Sequence, residues 1–401
     1  MTLTIEDLPE VDFWSPEFAA DPNLAVASAR DSVGLARSRR GVEVLSYGAV
    51  TDILRDDRFG AGLTNRLASI GIFDGPVFDI LTNLISDMTG AEHNRVRLAV
   101  APWFKTSTAE AIRSRSRDWV DSWIDEHMDS GHFDFSEVVS RPLPTALFLQ
   151  MVGGSQADRD RITEITAAVN LIATDPPPEL RGEIERGTLA LIAYVRELTE
   201  QKRREPDDGL LTALIEANTA GKITEDEILN LIWVVLNAST DSTSAQMCSN
   251  LVALAEQPEQ WQLLKRQPEL IPNAVLELTR FRPSLMGLGV KRVPEAVEFH
   301  GVEITHDTDV WINWFAASKD PRAYEDPTRL DVSRKLTQPT LAFGMGTHSC
   351  LGRVFALVEM EEVLKSLLAH WDEFSVDAAY LGFPVLMVPK YCNVTFTSAA
   401  A

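Results

Sequence analysis

One segment constrains the fold more than any other, because it predicts a helix long enough to cross a whole domain. Thr224 is followed three residues later by Glu227, which is the spacing of a capping box at the start of a helix. From there to Pro258 the chain contains neither proline nor glycine. A helix of this length spans ~45 Å. Its centre, residues 232–238, is apolar on nearly all sides, so we expect it to be buried.

The apolar centre of this helix is followed at once by five polar residues, Ser-Thr-Asp-Ser-Thr at 239–243. Serine and threonine bond to nearby backbone groups and are poor choices inside a helix. A buried helix interrupted by an acid and hydroxyls breaks the local rules, and such breaks are often functional. The alternative is that the helix ends here and that the polar residues emerge into solvent.

The rest of the chain predicts a mainly α fold with small β-sheets. Long stretches show apolar residues at helical spacing, whereas shorter stretches are β-branched runs separated by turn residues. Apolar residues make up 45% of the sequence, and no long linker divides it, so we expect residues 1–401 to form a single domain. The expected parts are a helix-rich core at about 100–284 and 351–370 and β-rich parts at about 285–315 and 380–397.

Charge and cysteine content exclude several classes of protein. The net charge is −22, which disfavours a general nucleic-acid binder or a protein of anionic membrane surfaces. No run of eighteen apolar residues occurs, and the acidic N-terminus does not have the pattern of a signal peptide. The three cysteines lie far apart and form neither a disulfide framework nor a zinc motif. We therefore expect a cytoplasmic protein with reduced thiols.

The strongest functional motif surrounds Cys350. Residues 343–352 read Phe-Gly-Met-Gly-Thr-His-Ser-Cys-Leu-Gly, and an amphipathic helix follows. The glycines allow a tight turn and a close approach to a flat ligand. Helix N-terminal N–H groups lower the pKa of a nearby thiol and favour the thiolate. A lone thiolate suggests a metal that brings its other ligands with it, as haem iron does. The alternative is a buried structural cysteine after a glycine-rich turn.

This stretch resembles the haem-binding loop FxxGxxxCxG of the cytochromes P-450, the haem-thiolate monooxygenases, in the form common among soluble bacterial members. The resemblance extends from about residue 49 to residue 396. It implies that Cys350 is the thiolate ligand of the iron of haem b. It also implies that Phe343 packs beside the sulfur and that His348 faces a haem propionate.

Three further motifs resemble elements of the same family, in the same order along the chain. Glu277 and Arg280 match its ExxR helix, and Arg334 matches the arginine of its later meander. The resemblance implies a triangular fold, mainly α with small sheets, in which haem lies between the long central helix and the cysteine-loop helix. The residues implied to bind the haem propionates, in addition to His348, are His93 and Arg97 of an EHxRxR element and Arg292 after an apolar strand.

The polar interruption of the long helix resembles the family's small-Gly-x-acid-Thr-Thr pattern, with two departures. Ser239 replaces the usual glycine, and Ser242 replaces the first threonine. The resemblance implies that Asp241 and a hydroxyl relay protons to bound dioxygen. We expect Ser242 to supply that hydroxyl, and Thr243 is the alternative if the helix is locally unwound.

The resemblance implies a haem-dependent monooxygenase that receives electrons from a ferredoxin or flavodoxin with its reductase, because the sequence carries no flavin or iron–sulfur motif. Two alternatives are a peroxide-driven haem-thiolate hydroxylase and a non-catalytic haem sensor or carrier. We expect a local basic dock for the redox partner near the cysteine loop. Its predicted members are Arg95, Lys105, Arg113, Arg115, Arg117 and Arg353.

The predicted substrate is a small-to-medium apolar molecule, such as a terpenoid, an aromatic compound or a steroid-like skeleton. The expected lining is apolar except for Asn237, which is a candidate for orienting a carbonyl or hydroxyl group and alternatively a satisfied buried amide. Part of the lining belongs to a loop at about 60–88 that roofs the pocket in the family. The predicted contacts are Phe73, Phe78, Val234, Asn237, Ala238, Leu285, Met286, Leu288, Val385 and Leu386.

Overall fold

The computed structural model describes residues 2–62, 67–68, 71–174, 176–287, 289–381 and 385–399. Helices dominate the chain, as the sequence predicts. The helices are α1 (Pro16–Ala20), α2 (Pro22–Ser32), α3 (Tyr47–Ile53), α4 (Gly75–Leu81), α5 (Gly90–Val100), α6 (Thr106–Asp125), α7 (Pro142–Val152), α8 (Arg159–Asn170), α9 (Arg181–Arg204), α10 (Leu210–Thr219), α11 (Glu225–Ala255), α12 (Pro258–Arg266), α13 (Ile271–Phe281), α14 (Trp314–Ser318) and α15 (Arg353–His370).

Within these described ranges, the strands form three small sheets. One has five strands in the order β1-β2-β8-β5-β3, a second has the order β4-β10-β9, and the third is the hairpin β6-β7. All paired strands are antiparallel except β2 and β8. The strands are β1 (Leu35–Ser38), β2 (Gly41–Val44), β3 (Gly60–Ala61), β4 (His132–Asp134), β5 (Gly289–Arg292), β6 (Val297–Phe299), β7 (Val302–Ile304), β8 (Asp309–Ile312), β9 (Trp371–Leu381) and β10 (Val388–Ser398).

The long central helix α11 has the predicted start. The Thr224 side chain accepts from the Glu227 N–H group, and the Glu227 carboxylate accepts from the Thr224 N–H group, so the capping box is confirmed. The helix continues without a break to Ala255. The alternative that it ends at residues 239–243 is therefore wrong.

Two apolar cores meet on α11. Leu231, Ile232 and Leu236 pack in one core with α7 to α10, whereas Met247 and Leu251 pack in the other with α6, α13 and α15. The polar residues 239–243 lie between the two clusters. The helix thus carries its acid and hydroxyls through the middle of the molecule.

The closing hairpin begins earlier than the sequence predicts. The sequence places the closing β-rich part at about 380–397, but in the structure β9 begins at Trp371, directly after the helix. Its partner β10 also pairs with β4, which interrupts the helical region. No helix within the described ranges is both long enough and apolar enough to cross a membrane.

Candidate active site

The cysteine loop is a tight backbone structure. Gly344 and Gly346 have φ values of +62° and +69°, which side chains other than glycine rarely adopt. A Cβ atom on Gly346 would lie 2.9 Å from the carbonyl oxygen of Leu54, so the loop also needs glycine for space. The Cys350 N–H group closes the loop by donating to the Phe343 carbonyl oxygen at 2.8 Å.

The Cys350 side chain is accessible, whereas Cys248 and Cys392 are buried. Burial by the surrounding protein nevertheless raises the pKa of the Cys350 thiol. This effect is larger than that of the Gly352 N–H group and the Arg97 guanidinium, which both lower the pKa. A side chain that is accessible yet enclosed by protein is expected to line a cavity. The expectation of a lowered thiol pKa is wrong, because burial exceeds the helix N-terminal effect. A metal cation at the sulfur reverses this balance.

Cationic and imidazole groups gather on one side of the cysteine loop. The rings of His93 and His348 lie 4.3 Å apart between centroids, and the Arg97 guanidinium donates to the Ser349 carbonyl oxygen at 2.9 Å. Burial, aided by His93, Lys291 and Arg97, lowers the pKa of His348 to about 4. Both ring nitrogens of His93 are buried without a hydrogen-bond partner in the described part of the chain. Such a cluster suits bound carboxylates, and haem carries two of them as propionates.

The structure directs Arg292 away from this cluster. Its guanidinium pairs with Asp307, and its side chain is 38% exposed. Neighbouring residues of a strand point to opposite faces, and the preceding residue of β5, Lys291, is the one whose charge acts on His348. Burial lowers the pKa of Lys291. The structure thus does not bring Arg292 together with this cluster, whereas Lys291 lies close enough for its charge to act on His348.

Asp241 and Ser242 lie in regular helix. Burial raises the pKa of Asp241 to about 7, against a hydrogen bond from Asn170 at the end of α8 and the charge of Arg141, which lower it. The Ser242 hydroxyl donates to the Ala238 carbonyl oxygen at 3.0 Å. Thr243 is buried and lies about 100° around the helix from Ser242. Because the helix is not unwound here, the condition for Thr243 as relay residue is not met.

A buried amide next to the relay turn was missed by sequence reasoning. Gln246 accepts from the Ser284 N–H group at 2.9 Å, and it donates to the Arg282 carbonyl oxygen at 3.0 Å and to the Asn250 side chain at 2.8 Å. The Ser284 hydroxyl in turn donates to the Ser242 carbonyl oxygen at 3.2 Å. These bonds attach the segment after α13 to α11. Two amides four residues apart in an apolar helix were a usable signal for them.

The ExxR motif forms a fully buried ion network. The Glu277 and Arg280 side chains have no exposed surface and are joined by two hydrogen bonds of 2.7 and 2.8 Å. Arg334 donates to the same carboxylate at 2.9 Å. Arg280 also donates to the carbonyl oxygens of Ser318 and Pro327. The predicted association of these three charged residues is confirmed.

The predicted substrate contacts separate into several groups. Ala238 is exposed although it lies in the middle of α11, and Val234 one turn earlier is partly exposed, so this face of the helix is accessible. Phe78 is partly buried among the apolar residues of α4 to α11. Leu285 forms a β-bridge with Leu386. These positions are compatible with a distal pocket above Cys350.

Other predicted contacts do not fit as well. The Phe73 side chain is 68% exposed. Met286 is buried in a different cluster, beside Phe13 and Met387, and is a core residue there. Val385 is buried. Leu288, like residues 63–66 and 69–70 of the predicted roof loop, lies outside the described residues.

Half of the residues of the predicted basic dock are neutralised by ion pairs. Arg95 binds Glu227, Arg113 binds three carboxylates that include Glu362, and Arg117 binds Glu362 as well. These pairs join α5 to α11 and α6 to α15. The three remaining members are exposed and show no ion pair within the described ranges: Lys105, Arg115 and Arg353.

This chain is similar to a set of known bacterial proteins. Residues 89–378 match the family model described as cytochrome P-450. The luteothin monooxygenase of Streptomyces thioluteus is 31% identical over 368 residues, which cover 91% of this chain and 90% of that protein. The nocardicin C N-oxygenase of Nocardia uniformis subsp. tsuyamanensis is 34% identical over 286 residues, which cover 71% of each chain.

A solved structure shares the fold. The crystal structure of CalO2 superposes with a TM-score of 0.89 at 22% identity, covering 96% of this chain and 98% of that one. The likeness confirms the expected fold, which is mainly α with small sheets around a long central helix.

Proposed function

The chain belongs to the cytochrome P-450 family and is a monooxygenase that binds haem b through a cysteine thiolate, and we propose that Cys350 supplies this thiolate. Enzymes of this family use dioxygen, a substrate and redox partners. We further propose a small-to-medium apolar substrate, and a ferredoxin or flavodoxin with its reductase as electron source. A single domain over residues 1–401 and a cytoplasmic location stay predictions.

One observation carries the assignment of Cys350. Its thiol is accessible, whereas Cys248 and Cys392 are buried in packed regions. The same loop places His348 against His93 and bonds to Arg97 through Ser349. A sulfur ligand beside a cluster for two carboxylates matches the iron and the two propionates of haem.

The chemistry divides between cofactor and protein. Haem, when bound, supplies the activation of dioxygen, with one oxygen atom entering the substrate and the other leaving as water. We assign Arg97, His93, His348 and Lys291 to hold the propionates. Asp241, whose pKa is near neutrality, exchanges protons with the solvent side. The Ser242 hydroxyl first breaks its hydrogen bond to the Ala238 carbonyl oxygen and then delivers a proton into the distal cavity.

The accessible face of α11 supports an apolar substrate. Val234 and Ala238 present alkyl groups there, and Leu285 and Phe78 are apolar as well. The relatives carry names of chemically different substrates, luteothin and nocardicin C among them, so those names do not transfer to this chain. Shape and polarity of the cavity are the better guide.

The redox partner is proposed to dock beside the cysteine loop through fewer cations than the sequence suggests. Lys105, Arg115 and Arg353 remain exposed there. Arg353 is the first residue of α15 and stands over the Phe343 ring at 5.4 Å. An acidic ferredoxin would be steered by these cations, so we expect its association to weaken as salt rises.

The test is product formation by the purified holoprotein with a surrogate ferredoxin, its reductase and NADPH under labelled dioxygen. The proposal expects one labelled oxygen atom per product molecule. Product from hydrogen peroxide alone, with none from the redox chain, would support the peroxide-driven alternative instead. The Asp241–Ser242 pair on the central helix favours the monooxygenase. Ligand binding without turnover under either condition would indicate a sensor or carrier.

A further inference from the structure

The relay turn of α11, residues 239–243, has hydroxyl groups that bond within the helix itself. Thr240 donates to the Leu236 carbonyl oxygen at 3.0 Å, and Ser242 donates to the Ala238 carbonyl oxygen at 3.0 Å. Hydroxyls that turn back on their own helix slightly destabilise and often bend it. A turn of this kind needs support from a neighbouring element if a side chain on it is to keep a fixed direction.

Ser284 gives the relay turn such support. The residue lies in the segment after α13 and is buried. Its hydroxyl donates to the Ser242 carbonyl oxygen at 3.2 Å. The bonds within a helix join residues of that helix, whereas this bond comes from another element. It therefore restrains the position of the Ser242 backbone relative to the rest of the molecule.

Gln246 in turn holds Ser284 in place. Its side-chain oxygen accepts from the Ser284 N–H group at 2.9 Å. Its side-chain nitrogen donates to the Arg282 carbonyl oxygen and to the Asn250 side chain. Gln246 follows Ser242 by four residues, so both side chains lie on one side of α11. Ser284 and Gln246 thus form a hydrogen-bonded clamp between α11 and the segment after α13.

The clamp also reaches an expected substrate contact. Leu285 directly follows Ser284, is partly exposed and forms a β-bridge with Leu386. The Met387 N–H group donates to the Ser284 carbonyl oxygen at 2.9 Å. The segment is therefore fixed to α11 on one side and to the chain just before β10 on the other. Through Ser284, the position of Leu285 is linked to that of the relay turn.

We propose that Ser284 and Gln246 are positioning residues for the proton relay. They hold Ser242 at a fixed distance from Leu285, so that the proton donor keeps its direction relative to the substrate. A hydroxyl at position 284 is then required for efficient use of electrons but not for substrate binding. The inference rests on the proposed function, because it assigns the support of that enzyme's relay.

The test removes the hydroxyl of Ser284. Ser284→Ala loses the bond to Ser242 but keeps the N–H group that donates to Gln246. The holoprotein receives a surrogate ferredoxin, its reductase, NADPH and whichever of camphor, limonene and testosterone shifts the Soret band most. We expect peroxide release per NADPH to rise about fivefold, the factor that one hydrogen bond contributes, with an unchanged dissociation constant. Amide hydrogen exchange across residues 239–247, measured without turnover, should accelerate by a similar factor.

Further variants attribute the effect to the clamp. Thr199→Ala is the matched control, because the buried Thr199 hydroxyl also donates to a helix carbonyl oxygen, that of Val195 on α9. Gln246→Met should leak as well, and adding Ser284→Ala to it should cause no further leakage, because Gln246 acts through Ser284. Additive leakage in the double variant, or native coupling or native exchange in Ser284→Ala, would overturn the inference. A native protein that consumes no NADPH would instead contradict the proposed function itself, and this inference with it.

Discussion

Two carboxylates of this protein are held in opposite ways. Glu277 is fully buried and accepts from Arg280, from Arg334 and from the Asp331 N–H group. For Asp241 on α11, the group that most lowers the pKa is an uncharged amide, that of Asn170. Arg141, the cation that acts on Asp241, is itself paired with Glu137.

The difference separates a fixed charge from a mobile proton. A carboxylate surrounded by guanidinium groups keeps its charge and joins α13 to the chain around Arg334, so it contributes to the fold. A carboxyl group held by an amide in a low-polarity region stays close to the point of titration, so it can take up and release a proton. The same residue chemistry thus supports structure at one site and proton transfer at the other.

The largest expected effect follows removal of a partner from the fixed network. Arg280→Ala leaves Glu277 buried without its principal cation, which costs on the order of 3–5 kcal/mol. We expect haem-free or insoluble protein. The measurement is the ratio of haem to protein after purification, with Arg329→Ala as the control, because the Arg329 side chain is exposed and pairs with Asp331 at the surface. If Arg280→Ala gave normal holoprotein, these residues would be no more important to the fold than an ordinary ion pair.

Asp241→Asn removes the titrating group but keeps its size. Because the folded pKa of Asp241 is raised to about 7, its protonated fraction falls as pH rises through 7. We expect native turnover to decline above this pH. In Asp241→Asn turnover should be about 10²-fold slower and should lose that alkaline limb. The check is kcat against pH for both proteins, and an unchanged limb in the variant would assign it to another group.

Ser242→Ala tests the final donor of the relay. Loss of the hydroxyl should raise peroxide release per NADPH consumed by about tenfold or more, with little change in substrate affinity. Ser242→Thr should lower the release, because the extra methyl restricts χ1 and so aims the hydroxyl more firmly. Thr243→Ala is the matched control. Tight coupling in Ser242→Ala together with leakage in Thr243→Ala would move the relay to Thr243.

The smallest expected effect concerns a third carboxyl group, Glu359 of α15. Burial raises its pKa to about 8, and its Oε2 has no partner in the described part of the chain. When the pKa of an acid is higher in the folded than in the unfolded protein, the protein loses stability as pH rises from the unfolded pKa to the folded pKa. Glu359→Gln should therefore gain about 1 kcal/mol relative to the native protein between pH 6 and 7. Unfolding of both proteins at several pH values measures this, with exposed Glu373→Gln as control.

Local sequence patterns predicted the structural elements that neighbouring residues determine. The capping residues Thr224 and Glu227 and the absence of proline and glycine gave α11 its start and length. The spacing of Glu277 and Arg280 predicted that both side chains lie on one face of a helix. The strand β9 was missed over most of its length, because its alternation at Phe374, Val376, Ala378 and Tyr380 follows directly on a helical pattern.

Features that depend on tertiary packing were less accessible to sequence reasoning. Which residue of β5 lies near His348 depends on the strand register, and the sequence alone does not distinguish Lys291 from Arg292 in this respect. The basic dock was overestimated because Glu361 and Glu362 of α15 reach Arg113 across to α6. The pKa of Cys350 depends on how much protein surrounds it, which the helix position alone does not reveal.

The central claim is that Cys350 ligates haem iron as a thiolate, and the ferrous–CO difference spectrum tests it most directly. The account predicts a strongly red-shifted Soret band for the native protein, for Cys248→Ala and for Cys392→Ala, and its loss in Cys350→His. A red-shifted band that persists in Cys350→His and disappears in either of the other two variants would contradict the account.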